Sequence, residues 1–302
     1  MRSRGELREQ GSDEGVLAKL FGGDVERLSR AEIEEAVQYH HPEKRLTALP
    51  TRPQIRNDML APFFGVDART YEEIKAAIAG RARRCARELL QDARFGALVD
   101  RLPFEPGTTV VGTGDSITDD YHSWLEILRH LLAERRPDDR IEVVNAGISG
   151  DTTSQLLGRF LEVLEEKPNW LITLIGTNDV FFVREPLTKN LVSPEETAKN
   201  LRTLRDLAKA RGGMRLAWIT PPPGIEDRQG PSPAGQPVWR NADLAEVARL
   251  VREVAGEDPL VDLWEVFGDP AEPELLLPDG LHPSLGGQRA IAVALVERLA
   301  SA

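Results

Sequence analysis

From residue 105 onward, five short apolar runs alternate with amphipathic stretches, and this alternation limits the chain to one broad architecture. The runs at 108–111, 141–144, 170–175, 216–219 and 259–263 are too short for helices and largely apolar, as buried parallel strands are. Helical periodicity fills the intervals near 121–134, 154–166, 194–209 and 238–254, with a last helix near 285–299. Five β–α units of this kind predict an α/β fold with a parallel sheet covered on both faces. Right-handed crossovers then line the loops that follow the strands along one edge, where open sheets of this class bind ligands.

Residues 1–104 have a different character. They show helical patterns and no convincing strand, so a helical N-terminal extension or cap over 1–104 is expected to precede a domain over 105–302, with the boundary near Pro103 to Gly107. Ser29 with Glu32 and Thr70 with Glu73 have capping-box spacing. After the second box, Ile74, Ile78, Ala82, Cys85, Leu89 and Ala93 form one apolar face, which must be buried against the chain's own domain or against a second copy. The second of these alternatives is a homo-oligomer through the N-terminal helices. Between the boxes, residues 41–62 carry four prolines and little periodicity, as a crossing segment or linker would.

A formal charge of -11 disfavours phosphate backbones and anionic lipid surfaces as partners. Cys85 is the sole cysteine, so neither an internal disulfide nor a cysteine-rich metal site can form. The first fifteen residues lack the apolar run of a secretion signal, and charged residues or proline interrupt every candidate membrane span, so a cytoplasmic location is expected.

Four loops on the predicted binding edge carry chemistry. Gly112-Thr113-Gly114-Asp115-Ser116 places a hydroxyl between a strand end and a helix start, beside backbone amides that favour developing negative charge. Asn145-Ala146-Gly147-Ile148-Ser149-Gly150 follows the second strand, and its glycines allow close backbone approach to a ligand. Gly176-Thr177-Asn178-Asp179 follows the third. Asp279-Gly280-Leu281-His282 precedes the last helix. Ester hydrolysis by serine needs a nucleophile, a base, an acid that orients the base, and donors for the oxyanion. Ser116, His282 and Asp279 fit the first three roles; the Ser116 and Gly150 amides and the Asn178 side chain fit the last.

In this order, the four blocks resemble the signature blocks of the SGNH (GDSL-type) hydrolases over roughly residues 108–302. The resemblance implies a three-layer α/β/α, flavodoxin-like fold with a five-stranded parallel sheet. It also implies a serine esterase site needing neither metal nor cofactor, with Ser116, Gly150, Asn178, Asp279 and His282 in those roles. Members act on acyl esters of small alcohols, sugars, lipids or thiols, so the substrate is expected to be a small acyl ester, short-chain or acetyl. The same site serves an acyltransferase when a sugar, alcohol or thiol replaces water as acceptor. Two positions depart from the pattern. Ile117 replaces the leucine of the name motif, and Thr177 stands where many members carry glycine or alanine, which narrows the space beside Asn178.

Bland roles compete for several neighbours. Asp115 and Asp179 are expected to anchor loops, Ser149 and Ser154 to serve turns or caps, and His122 to lie on a helical surface. Gly147 rivals Gly150 as an amide donor. Asp115, Asp119, Asp120 and Asp151 have no metal-ligand spacing and are expected to be solvated or to anchor loops. The loop Phe181-Phe182-Val183-Arg184 and the six-proline segment from Pro221 to Pro237 are candidates for a pocket wall and a rim. The glycines at 112 and 114 lack the third glycine of a dinucleotide fingerprint, which disfavours a nicotinamide enzyme, and no Gly-x-Ser-x-Gly elbow occurs.

Overall fold

A computed structural model describes residues 29–45, 55–183, 189–229 and 237–301. The N-terminal part is helical: α1 (Arg30–Tyr39), the single-turn α2 (Pro42–Arg45) and α3 (Asn57–Leu60), then α4 (Ala68–Leu89) and α5 (Ala93–Asp100). Helix α1 starts at Ser29 with the expected capping box to Glu32. Helix α4 does not start at Thr70. A left-handed Gly65 ends the preceding 3-10 turn, so Asp67 is in place as an extended cap and its carboxylate takes the Thr70 amide at 2.8 Å. The predicted apolar face also divides, because α4 ends at Leu89 and Ala93 opens α5.

The second part runs β1 (Thr109–Gly114), α6 (Ser116–Asp119), α7 (Trp124–Arg135), β2 (Glu142–Gly147), α8 (Thr153–Gly158), α9 (Phe160–Glu165) and β3 (Trp170–Leu174). It continues with β4 (Phe182–Val183), α10 (Pro194–Ala210), β5 (Arg215–Ile219), β6 (Pro237–Val238), α11 (Asn241–Ala255), β7 (Leu260–Val261), α12 (Leu263–Phe267) and α13 (Leu285–Ala300). The main sheet is parallel throughout, in the order β2-β1-β3-β5-β7. The predicted helix at 238–254 begins three residues late, because Val238 instead pairs with Phe182 in the small antiparallel β4–β6 ladder.

Alternation along the strands divides the core between the two faces of the sheet. Val110, Ile172 and Ile219 face one cluster with α4, α5, α7 and α13; Val111, Leu171 and Trp218 face another with α8, α9, α10 and α11. The result is a three-layer α/β/α fold. Ala82, Cys85 and Leu89 of α4 pack with Leu128 and Leu132 of α7, so this end of the apolar stripe is covered within the chain and needs no second copy. The same cluster joins Phe95, Val99 and Phe104 to Val110 and Trp170, so one core runs across residues 104 and 105. A third, smaller cluster holds Val37 of α1 against Phe64, Tyr71, Ile74 and Ile78. Each fully buried side chain of this size contributes about 1.5 to 3 kcal/mol. No helix among the described residues is long and apolar enough to cross a membrane.

Candidate active site

The order of the strands reverses between β1 and β3, which opens a crevice at their carboxyl ends. Strand β1 extends past the predicted apolar run to Gly114, where a Cβ would sit 1.9 Å from the Leu174 carbonyl oxygen. Only glycine lets β1 approach β3 so closely and then turn. Asp115 caps α6, its Oδ1 accepting from the Ile117 amide at 3.1 Å, and Ile117 inserts into the core. Ser116 is therefore the first helical residue, with an amide that has no partner one turn back. Burial pushes the Asp115 carboxyl up to about 7, against the Ile117 amide and the Thr177 hydroxyl, which favour its charged form.

The Ser116 Oγ lies 2.9 Å from His282 Nε2, and His282 Nδ1 lies 2.6 Å from Asp279 Oδ2. The other Asp279 oxygen accepts from the Leu281 and His282 amides at 2.9 and 3.0 Å, which fixes the carboxylate beneath the ring. This tight loop requires Gly280, at φ +73°, because a Cβ there would approach the Ile225 carbonyl oxygen to 2.4 Å. Burial works against the imidazolium, but the hydrogen bond and charge of Asp279, with Asp115 and Asp120 beyond, outweigh it and raise the His282 pKa above the ordinary histidine value. The Asp279 carboxyl is held below its usual range: burial would raise it, and His282 and the two amides prevail.

The loop after β2 separates the two candidate glycines. Gly147 still belongs to the strand, donates its amide to Asn145 Oδ1 at 3.1 Å and packs against Asp119. Gly150 lies in a turn closed by the Asp151 amide on the Ile148 carbonyl, in a left-handed conformation with φ +82°. The Asn178 Nδ2 donates to the Asp151 carbonyl at 3.0 Å, which fixes the amide plane and leaves its second hydrogen available. Asp179 behind it accepts from the Thr153 amide and from the hydroxyls of Thr153 and Thr197 at 2.6 to 2.7 Å, tying α8 and α10 to the loop. Ser149 is held by Asp119, and Ser154 accepts from Asn200.

One sequence expectation is corrected here. His122 is not on a helical surface; it is 4% exposed, beneath α1, with Gln38 Nε2 and Asp120 Oδ2 each 3.2 Å from its Nε2. Of the two roles expected for Asp119 and Asp120, the structure shows loop anchoring: both are buried, Asp119 holding Ser149 and Asp120 the His122 amide. Burial opposes the Asp119 charge, yet His41 and Lys44, at 2.6 and 2.5 Å, bring its pKa down to about 2. Arg159 pairs with Asp151 at 2.6 Å. Among the described residues, no group of three or more His, Cys, Asp or Glu is placed to hold a metal ion.

Sequence reading missed residues 38–45, which end a capped helix and run on past it as Gln-Tyr-His-His-Pro-Glu-Lys-Arg. That density of hydrogen-bonding side chains was the available signal. Gln38 donates to Asp120, Lys44 to the Gly147 carbonyl and Arg45 to the Ser149 carbonyl. Tyr39 lies against His282 with ring centroids 4.9 Å apart. The expected pocket loops are only partly visible. Phe181 packs on the core and Phe182 lies under Arg240, beside a recess of about 400 Å³ that also includes Trp239 and Glu226; Arg184 and residues 230–236 lie outside the described residues.

Residues 113–290, which carry all four loops, match the GDSL-like lipase/acylhydrolase family. The chain belongs to that family. It is thus a carboxylic ester hydrolase of the SGNH type. An acetylxylan esterase of Geobacillus stearothermophilus is 30% identical over 182 residues, covering 56% of this chain and 77% of the relative. The esterase TesA of Pseudomonas aeruginosa is 29% identical over 189 residues, covering 60% and 82%. The crystal structure of Axe2, an acetylxylan esterase from G. stearothermophilus, superimposes with a TM-score of 0.54 at 26% identity, over 65% of this chain and 95% of that one.

Proposed function

We propose that this family member is a serine esterase for small acyl esters, acetyl esters foremost, acting through an acyl-Ser116 intermediate. The observation that carries the reading is the chain of contacts from Ser116 Oγ through the His282 ring to Asp279, at 2.9 and 2.6 Å. His282 Nε2 takes the hydroxyl proton as Oγ attacks the acyl carbon, and Asp279 stabilises the imidazolium and fixes its tautomer. The oxyanion is received by the Ser116 and Gly150 amides and the second hydrogen of Asn178 Nδ2. Each such donor is worth about 10²- to 10³-fold in rate. Collapse expels the alcohol, which leaves with the proton from His282. Water then attacks the acyl group, giving its proton to His282, and the acid departs as Ser116 recovers that proton.

The preference for a small acyl group is supported by buried Thr177 beside Asn178 and by likeness to an acetylxylan esterase. A screen of p-nitrophenyl esters from acetate to palmitate, with acetylated sugars alongside, tests it. A maximum at acetate with loss of turnover in Ser116→Ala is expected. A maximum at long chains would overturn the acyl preference, and unchanged turnover in the variant would overturn the nucleophile.

A further inference from the structure

An aromatic contact to the His282 ring comes from outside the family-matched residues. Tyr39 ends α1, and its ring is tilted 42° to the imidazole at a centroid separation of 4.9 Å, with its hydroxyl buried. Hydrogen bonds to Asp279 and Ser116 fix the two nitrogens of His282 but leave the ring able to tilt about the line joining them. A second ring against its face stops that tilt and displaces water. The chain on either side of Tyr39 is itself anchored. Gln38 is bound to Asp120 at 2.8 Å, His41 to Asp119 at 2.6 Å, and Val37 sits wholly buried in the third apolar cluster. Downstream, Lys44 and Arg45 bind the carbonyls of Gly147 and Ser149 at 3.0 and 2.6 Å. The segment thus grips the stretch that follows the nucleophile and the loop that carries Gly150, with Tyr39 set between these anchors.

We propose that Tyr39 is a positioning residue of the esterase site, its ring holding the His282 imidazole in the plane that links Asp279 to Ser116. The inference rests on the reading of Ser116 and His282 as the reacting pair. It gives the N-terminal segment a part in turnover. Charged and titratable groups facing His282 are Asp279 on its own loop, Asp115 and Asp120 flanking α6, and the Tyr39 hydroxyl from α1. Loss of the ring would hydrate the imidazole, ease the penalty on its cation and move the acid limb of kcat/KM upward.

The test measures Tyr39→Phe, Tyr39→Ala and Ser116→Ala in the full chain with p-nitrophenyl acetate, recording kcat, KM, the pH profile and Tm. Tyr39→Ala is expected to lose about 10- to 100-fold in kcat, the scale of a small misplacement of a reacting group. Its KM should stay nearly constant while its acid limb moves to higher pH. Tyr39→Phe should keep both kcat and limb, since the ring rather than the hydroxyl acts. Because Tyr39 is only partly buried at a helix end, the alanine variant should fold; should it not, a wild-type kcat and limb in Tyr39→Leu, which keeps bulk without a ring, would overturn the proposal. Wild-type kcat and limb in Tyr39→Ala, equal loss in the Ala and Phe variants, or a lowered Tm with unchanged kcat and limb would also overturn it. Undiminished turnover in Ser116→Ala would instead strike the underlying esterase reading.

Discussion

Asp119 joins three separate parts of the chain, and its replacement by asparagine gives a measurable test of how the site is held. One carboxylate oxygen lies 2.6 Å from His41 Nδ1 and 2.5 Å from Lys44 Nζ; the other accepts from the Ser149 amide and hydroxyl at 2.8 and 2.9 Å. The residue is 1% exposed, so water screens little of this. Its pKa falls from 3.8 to about 2, which corresponds to about 2 kcal/mol favouring the folded state at neutral pH. Because the folded pKa is the depressed one, this stability is fully present above about pH 4 and is lost as pH falls toward 2. Asp119→Asn also takes the carboxylate from the part-buried Lys44 ammonium, which keeps its bonds to Asn145 and Gly147, and losing a hydrogen bond to a charged group costs about 1.5 to 3 kcal/mol. Urea denaturation at pH 7 should therefore find the variant about 3 kcal/mol less stable. With Lys44→Met as partner, the double variant should fall short of the additive sum by at least about 1 kcal/mol. A loss below about 0.5 kcal/mol, or an additive cycle, would refute the reasoning.

Three further outcomes are expected. Because the His282 pKa is raised, the acid limb of kcat/KM should lie above pH 6.5, and Asp279→Asn should lower kcat by roughly 10³- to 10⁴-fold while moving the limb down; a stationary limb would count against Asp279 as its cause. Asp115 has a raised pKa of about 7, so its protonated form favours folding and that contribution is lost as pH rises through 7. Between pH 5 and 8, wild type should thus lose about 3 kcal/mol relative to Asp115→Asn in urea melts, and parallel curves would be the contrary result. Gly114→Ala forces a methyl group to 1.9 Å from a backbone oxygen, so it should destabilise by more than about 3 kcal/mol in the same assay; a near-neutral effect would mean β1 and β3 can separate.

The parallel sheet was legible because its central strands are buried on both faces and its strands read as short, largely apolar runs. Their ends were not, because Gly112 and Gly114 have low strand propensity and are held by partners on both sides; Gly112 is also required by Leu125, which a Cβ would meet at 2.3 Å. Three of the four loops could be read from residue types at strand ends, and the fourth from an Asp and a His three residues apart before the last helix. The grip of residues 38–45 could not, since it depends on side chains meeting across 75 to 104 positions, which periodicity does not encode. The burial of His122 was hidden for the same reason: Gln38, which covers it, lies 84 positions earlier.

The hydroxyl and the imidazole meet from residues 166 positions apart. During synthesis Ser116, the β2 loop and Asn178 all leave the ribosome well before His282 does. A nascent chain halted ahead of position 282 should therefore be catalytically silent even if most of its sheet has formed. Turnover is a late reporter of folding here, expected to lag behind the recovery of helical signal when the denatured protein is returned to buffer.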